Sequence, residues 1–205
     1  MKIRIVFCIP LLVAILASAQ TPTVKGHAIG ESVSSFFHAS RALEMAVDSC
    51  ANPNAYQNSR FRADGETCQQ ISSAMAGKRT RISNDLAREL MGSESILPFT
   101  GYVEFSAGKL SMMEVDLYSE NWNTVYPDLL KKFGRPTKTD TVELQNGYGA
   151  RYSLPTVSWV RPGYVVDASE NMTMLYAHFI VIEMATSERM KELEKEKQRE
   201  GSPLD

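Results

Sequence analysis

The apolar positions of this chain change period several times, and each change predicts an element. Val33, Phe36, Phe37, Leu43, Val47 and Cys50 follow one another at helical intervals and form one stripe. Gly30-Glu31-Ser32 opens that helix, with Glu31 near the positive end of the helix dipole. Residues 69–76 read as a short helix or strand and 77–81 as a turn. Residues 83–91 read as a helix capped by Ser83 and closed by Gly92, with Leu86, Leu90 and Met91 as its apolar side. From residue 99 the period is two: Phe99, Val103 and Phe105 lead to a turn at Ala107-Gly108. Leu110 and Met112 return, and after a change of phase Met113, Val115 and Leu117 continue. The pattern predicts a hairpin over 99–118 with a bulge at Met112-Met113.

Helical spacing returns with Trp122, Val125, Tyr126, Leu129, Leu130 and Phe133, from an N-cap at Ser119 to a stop at Gly134 and Pro136. Pro127 inside this stretch predicts a kinked or broken helix. Strand-like segments follow at 142–145, 148–152, 156–160, 164–168 and 172–184, with turn signals at Asn146-Gly147 and at 161–163. The last segment carries Met174, Tyr176, Ile180 and Ile182 on one face and Leu175, Phe179 and Val181 on the other. A strand apolar on both faces belongs in the middle of a sheet, covered above and below. Residues 188–200 hold ten charges in thirteen positions, with only Met190 and Leu193 apolar, and predict a solvated, frayed helix. The expected fold is α+β: helices on one side of an antiparallel sheet, in two related helix-plus-hairpin halves, with a charged C-terminal helix.

Composition adds a location. The chain has 205 residues, 43% hydrophobic and 22% charged, ordinary for a globular protein and unlike collagen, a long disordered tail or a multi-span membrane protein. Lys2 and Arg4, an apolar run over 5–16 and Ala17-Ser18-Ala19 have the form of a secretory signal peptide over 1–19. That run is shorter than the roughly 20 residues a spanning helix needs. Cleavage would leave Gln20 first, where a lipoprotein would carry its anchoring Cys. The expected product is exported, periplasmic or extracellular, soluble and not membrane-spanning. It would comprise an extended leader over 20–25, one α+β domain over 26–184 and a charged helical tail over 185–205. Removing Lys2 and Arg4 takes 22 basic residues to 20 against 24 acidic ones, too mild a balance for nucleic acid. Lys78-Arg79-Thr80-Arg81 reads as solvated charge on a loop, with no interleaved aromatics to stack bases.

Cys8 leaves with the signal, and Cys50 and Cys68 remain. In an exported chain an even count reads as a disulfide, and neither metal-ligand nor C-x-x-C spacing is present. Closing the loop between residues 50 and 68 stabilises by about 3 kcal/mol in the chain-entropy model.

Ile29-Gly30-Glu31-Ser32-Val33 and Lys132-Phe133-Gly134-Arg135-Pro136 resemble segments of small exported bacterial proteins of the outer-membrane-assembly lipoprotein type. The tandem arrangement is similar to the beta-lactamase inhibitor protein architecture, and Trp159 to Glu183 looks like the ending of other exported bacterial proteins. The resemblance implies helices packed on antiparallel strands and a sheet face offered for binding. Membrane assembly and lactamase inhibition are not carried over, because the lipid-attachment Cys is missing and the 50–68 loop interrupts the first half.

A search for chemistry finds little. His27, His38 and His178 lie far apart without a metal-binding pairing, so no metal and no cofactor are expected. Ser106 and Lys109 match S-x-x-K but fall on a hairpin turn, and Glu104 and Glu114 flank that hairpin as a solvated face. The leading expectation is a non-enzymatic module that binds a protein partner in the cell envelope. Tyr148, Tyr152, Trp159 and Tyr164 are its candidate interface or, alternatively, core. A rival from another class is an exported hydrolase assembled from His27, His178, Asp167 and Glu170. A third is a structural envelope protein tethered by its charged tail.

Overall fold

A computed structural model describes residues 23–24, 26–39, 41–56, 63–83, 100–118, 121–145, 149–172 and 178–200. The signal-peptide segment and residues 84–91 of the expected second helix lie outside the described residues.

Strands β1 (Thr80–Ser83), β2 (Thr100–Ser106), β3 (Lys109–Tyr118), β4 (Lys138–Gln145), β5 (Arg151–Arg161), β6 (Tyr164–Met172) and β7 (His178–Thr186) form one antiparallel sheet. Its order is β1-β2-β3-β7-β6-β5-β4. The fold is therefore α+β, and the strand read as central is central: β7 has three strands on either side. Its expected start at residue 172 needs correction, because Met172 ends β6 and pairs with His178, while 173–177 lie outside the described residues.

Helices α1 (Val33–Phe37), α2 (Arg41–Ala51), α3 (Gly65–Met75) and α4 (Trp122–Phe133) face one side of the sheet. Phe36, Phe37, Leu43, Ile71, Leu129 and Phe133 pack there against Phe105, Met113, Ile180, Met184, Val166 and Trp159. The stripe from Val33 to Cys50 is two helices rather than one, since α1 ends at His38 and α2 begins at Arg41. Both bury the same side against the sheet, so the apolar spacing runs on across the break. Ser32 caps α1 by accepting from the Ser35 amide at 3.0 Å. Cys50 near the end of α2 and Cys68 in α3 are joined as a disulfide, 5.4 Å apart at Cα.

Several local expectations shift. The basic cluster is only half a loop: Lys78 and Arg79 precede β1, Thr80 and Arg81 begin it, and Ser83 is its last residue. α4 is continuous through Pro127, its N-cap is Asn121, and Trp122, Leu129 and Phe133 hold it to the core. The hairpin bulge falls at Ser111, one residue before the expected place. Glu104 pairs with Met112 and Phe105 with Leu110, and the extra residue's hydroxyl donates to the Glu104 carbonyl at 2.9 Å.

The helices do not keep to one side. α5 (Ser187–Glu200) crosses the opposite face, where its Met190 and Leu193 bury against Met112 and Ala185, with Tyr102 and Val165 at the edge. Arg189 donates to Glu104 at 3.0 Å and to Glu196 at 3.0 Å. The segment read as a solvated tail is a docked helix, because two apolar residues at i and i+3 suffice to seat one face on a sheet whose own residues there are apolar.

The β2–β3 contact rests on a glycine. A Cβ at Gly101 would strike the carbonyl oxygen of Glu114, backbone against backbone. Gly101→Ala is expected to destabilise by about 1–3 kcal/mol, read as a lower urea midpoint. An unchanged midpoint would show that these two strands separate at little cost.

Candidate binding cleft on the second face of the sheet

Alternation along a strand sends every second residue to the α5 side, and the register sets those residues side by side. Glu114 of β3 stands opposite Glu183 of β7, and Glu183 opposite Asp167 of β6. Three carboxyls therefore form a row across three adjacent strands, with Asp116 two residues along β3. Like charges directly opposite repel, and burial compounds the cost. Glu183 is 5% and Asp116 9% exposed.

Two cations meet this row. Lys197 of α5 donates to Glu183 Oε2 at 2.9 Å, and Arg79, its guanidinium over the Tyr102 ring, donates to Glu114 Oε2 at 3.3 Å. They do not satisfy it: Glu183 Oε1 and Asp167 Oδ1 are buried without a hydrogen-bond partner among the described residues. The electrostatics register the strain. Burial, then the neighbouring Asp116 and Glu183 charges, raise the Glu114 carboxyl from 4.5 to about 7 against the pull of Arg79. Burial also raises Asp167, opposed by its hydrogen bond with Ser158.

The row opens into a cleft of about 670 Å³, and the backbone explains why it is there. The β5–β6 ladder stops at Thr156–Ser169, whereas β4–β5 continues to Gln145–Arg151 and β6–β7 to Met172–His178. The Ser158 carbonyl accepts from Thr137 beside β4, so even-numbered residues of β5 turn their backbone groups to β4 and odd-numbered ones to β6. Pro155 is the next odd residue and has no N–H to offer, so the ladder ends and the sheet forks. Val142 and Leu144 of β4, Leu154 of β5, and Phe179 and Val181 of β7 give the cleft apolar walls. Asp167, Glu183, Glu114 and Asp116 line it with carboxyls, and Lys197 reaches it from α5.

Of the expected site residues, Asp167 and Glu170 both line the cleft, while His27 does not. His27 is buried on the other side of the sheet, 4.1 Å from the Phe36 ring centroid and bonded to Glu31 at 3.0 Å. That place takes His27 out of the expected hydrolase constellation, and the His178 side chain lies outside the described residues. The four aromatics do not make one surface either. Tyr148 lies outside the described residues, and Tyr152 is half-buried opposite Leu144 on the cleft side of β5. Tyr164 edges the core on the other face, and Trp159 is core, at 0% exposed. Glu114, expected on a solvated face, is enclosed, and it shares the cleft with Asp116, Glu183 and Lys197, which the sequence pattern does not bring together. The three acids carry a signal in the sequence as charges inside apolar strands, in Met112-Met113-Glu114-Val115-Asp116-Leu117 and Ile182-Glu183-Met184, whereas Lys197 carries none among the many charges of α5.

Among the described residues, no group of three or more His, Cys, Asp or Glu is placed to hold a metal ion. Nor is any described helix long and apolar enough to cross a membrane. Comparison with protein-family models, with curated proteins and with solved structures finds no match to this chain.

Proposed function

We propose that the chain is an exported, non-enzymatic binding module that receives part of a protein partner from the cell envelope in the forked cleft. The observation that carries this reading is the pair of buried carboxyl oxygens, on Glu183 and Asp167, left unmatched along a cleft with apolar walls. A buried carboxyl oxygen left without a hydrogen bond costs about 1–3 kcal/mol and persists where something else completes it. The signal-peptide pattern supports export, and the apolar walls suit a polypeptide better than a fully hydrated ion.

A photo-cross-linking residue at position 142, on the cleft rim and 48% exposed, tests it in the source cells, with position 75 on α3, 44% exposed, as the control. The expected result is one envelope protein captured from 142 and not from 75, and lost when Ser169→Trp fills the cleft. The same species from both positions, or capture unaffected by Ser169→Trp, overturns the reading. N-terminal sequencing of the recovered chain is expected to begin at Gln20, and a chain beginning at Met1 in the cytosol removes the export part.

A further inference from the structure

Resting on that reading, we infer that the cleft selects the cationic head of a lysine or arginine in an extended segment of the protein partner, and that Lys197 of α5 holds that place until the partner arrives. The chemistry of the occupant is written in the contact already made. An ammonium at the end of a four-carbon arm sits 2.9 Å from Glu183 Oε2, while Oε1 of the same buried carboxyl stays unmatched. One carboxylate has thus been half served by a cation from the rim, 65% exposed, and its other oxygen is left for a second donor to complete. The apolar walls at Val142, Leu144 and Leu154 suit the aliphatic arm of such a residue, which buries its stem and places its charge at the end. A metal ion is the poorer fit, since the carboxyls are strung along a row and not gathered about a point.

Lys197 is also placed to yield. It lies one turn beyond Leu193, the last apolar residue that α5 buries, so its arm can swing away while Met190, Leu193 and the Arg189–Glu104 pair keep the helix seated. A cation that can leave without undocking its helix behaves as a competitor of the partner's cation. Removing it should therefore strengthen binding, whereas a purely structural ion pair would only lose stability.

The test is calorimetric titration of the mature chain with a blocked Val-Lys-Val-Lys-Val peptide. Val-Glu-Val-Glu-Val and N-acetyl-lysine methylamide serve as comparisons. The basic peptide is expected to bind, with Lys197→Met tightening it about tenfold and Glu183→Gln loosening it by about tenfold or more and cancelling the gain from Lys197→Met. Thermal unfolding checks that each variant is folded, and Asp167→Asn replaces Glu183→Gln if that one is not. Equal affinity for Lys197→Met and the unchanged chain overturns the inference, as does equal binding of the acidic peptide. N-acetyl-lysine methylamide binding as tightly as the peptide would make the ligand a free amine and overturn it too. If position 142 still captures its partner while the basic peptide fails to bind, the inference falls and the module stands. If 142 captures nothing, the module itself falls.

Discussion

Trp159→Ala is expected to cost about 3–5 kcal/mol, the largest loss of any single substitution considered. The indole is 0% exposed, its ring 5.4 Å from that of Phe133, and its Nε1 donates to the Gly134 carbonyl at 2.8 Å. That carbonyl belongs to the residue closing α4, where Gly134 takes φ 74. The neighbouring Arg161 donates to the Phe133 carbonyl at 2.6 Å, so two side chains of β5 serve the carbonyls that end α4. Removing the indole opens a cavity between helix and sheet and strands the Gly134 carbonyl. Trp159→Phe keeps most of the volume and loses only the donor, and should cost about 1–3 kcal/mol. Urea unfolding measures both. A folded Trp159→Ala chain that kept its stability but lost its partner would return Trp159 to the interface.

That residue also shows what pattern alone could and could not resolve. Alternation placed Trp159 on a strand, but alternation does not say which face meets helices and which meets water. The choice between core and interface waited on the register of β5 with β6. Long elements with strong periodicity were legible: the hairpin, α4 and the central position of the last strand all followed from spacing. Breaks that leave the buried side unchanged were not, as between α1 and α2, because periodicity reports a face and not a backbone. The cleft was the least legible part. It depends on three carboxyls from strands far apart in sequence falling into register, and on which neighbour Pro155 would have faced. Neither is a property of any one segment. Its individual members did leave a trace, since a lone acid in an apolar strand has to be either exposed, paired or functional, and Glu183 is buried beside a single lysine.

Stability is expected to fall by about 3 kcal/mol between pH 5 and pH 8, with Glu114 as the main cause. Its carboxyl has the ordinary value of 4.5 in the unfolded chain and about 7 in the folded one, where it is 16% exposed. Across that window the unfolded chain has given up a proton that the folded chain keeps. The unfolded state therefore binds fewer protons, and stability declines with rising pH until it levels above about 7. Asp167, raised by burial, pulls in the same direction. Glu114→Gln should be close to the unchanged chain at pH 5 and more stable at pH 8, flattening most of the slope in urea unfolding curves. A slope that survives Glu114→Gln would place the titration elsewhere. Affinity should move the opposite way over the same range. A cation entering the row gains from every carboxyl that is ionised, so the basic peptide should bind more tightly at pH 8 than at pH 6 and release protons when it does so at pH 7. The groups that decide this are Glu114 on β3 and Asp167 on β6, both raised, and the charges that act on them are those of Asp116, Glu183, Glu194, Arg79 and Lys197. Packing alone would make stability and binding fall together as the row ionises. A site kept at a stability cost for the sake of a cationic partner makes them diverge.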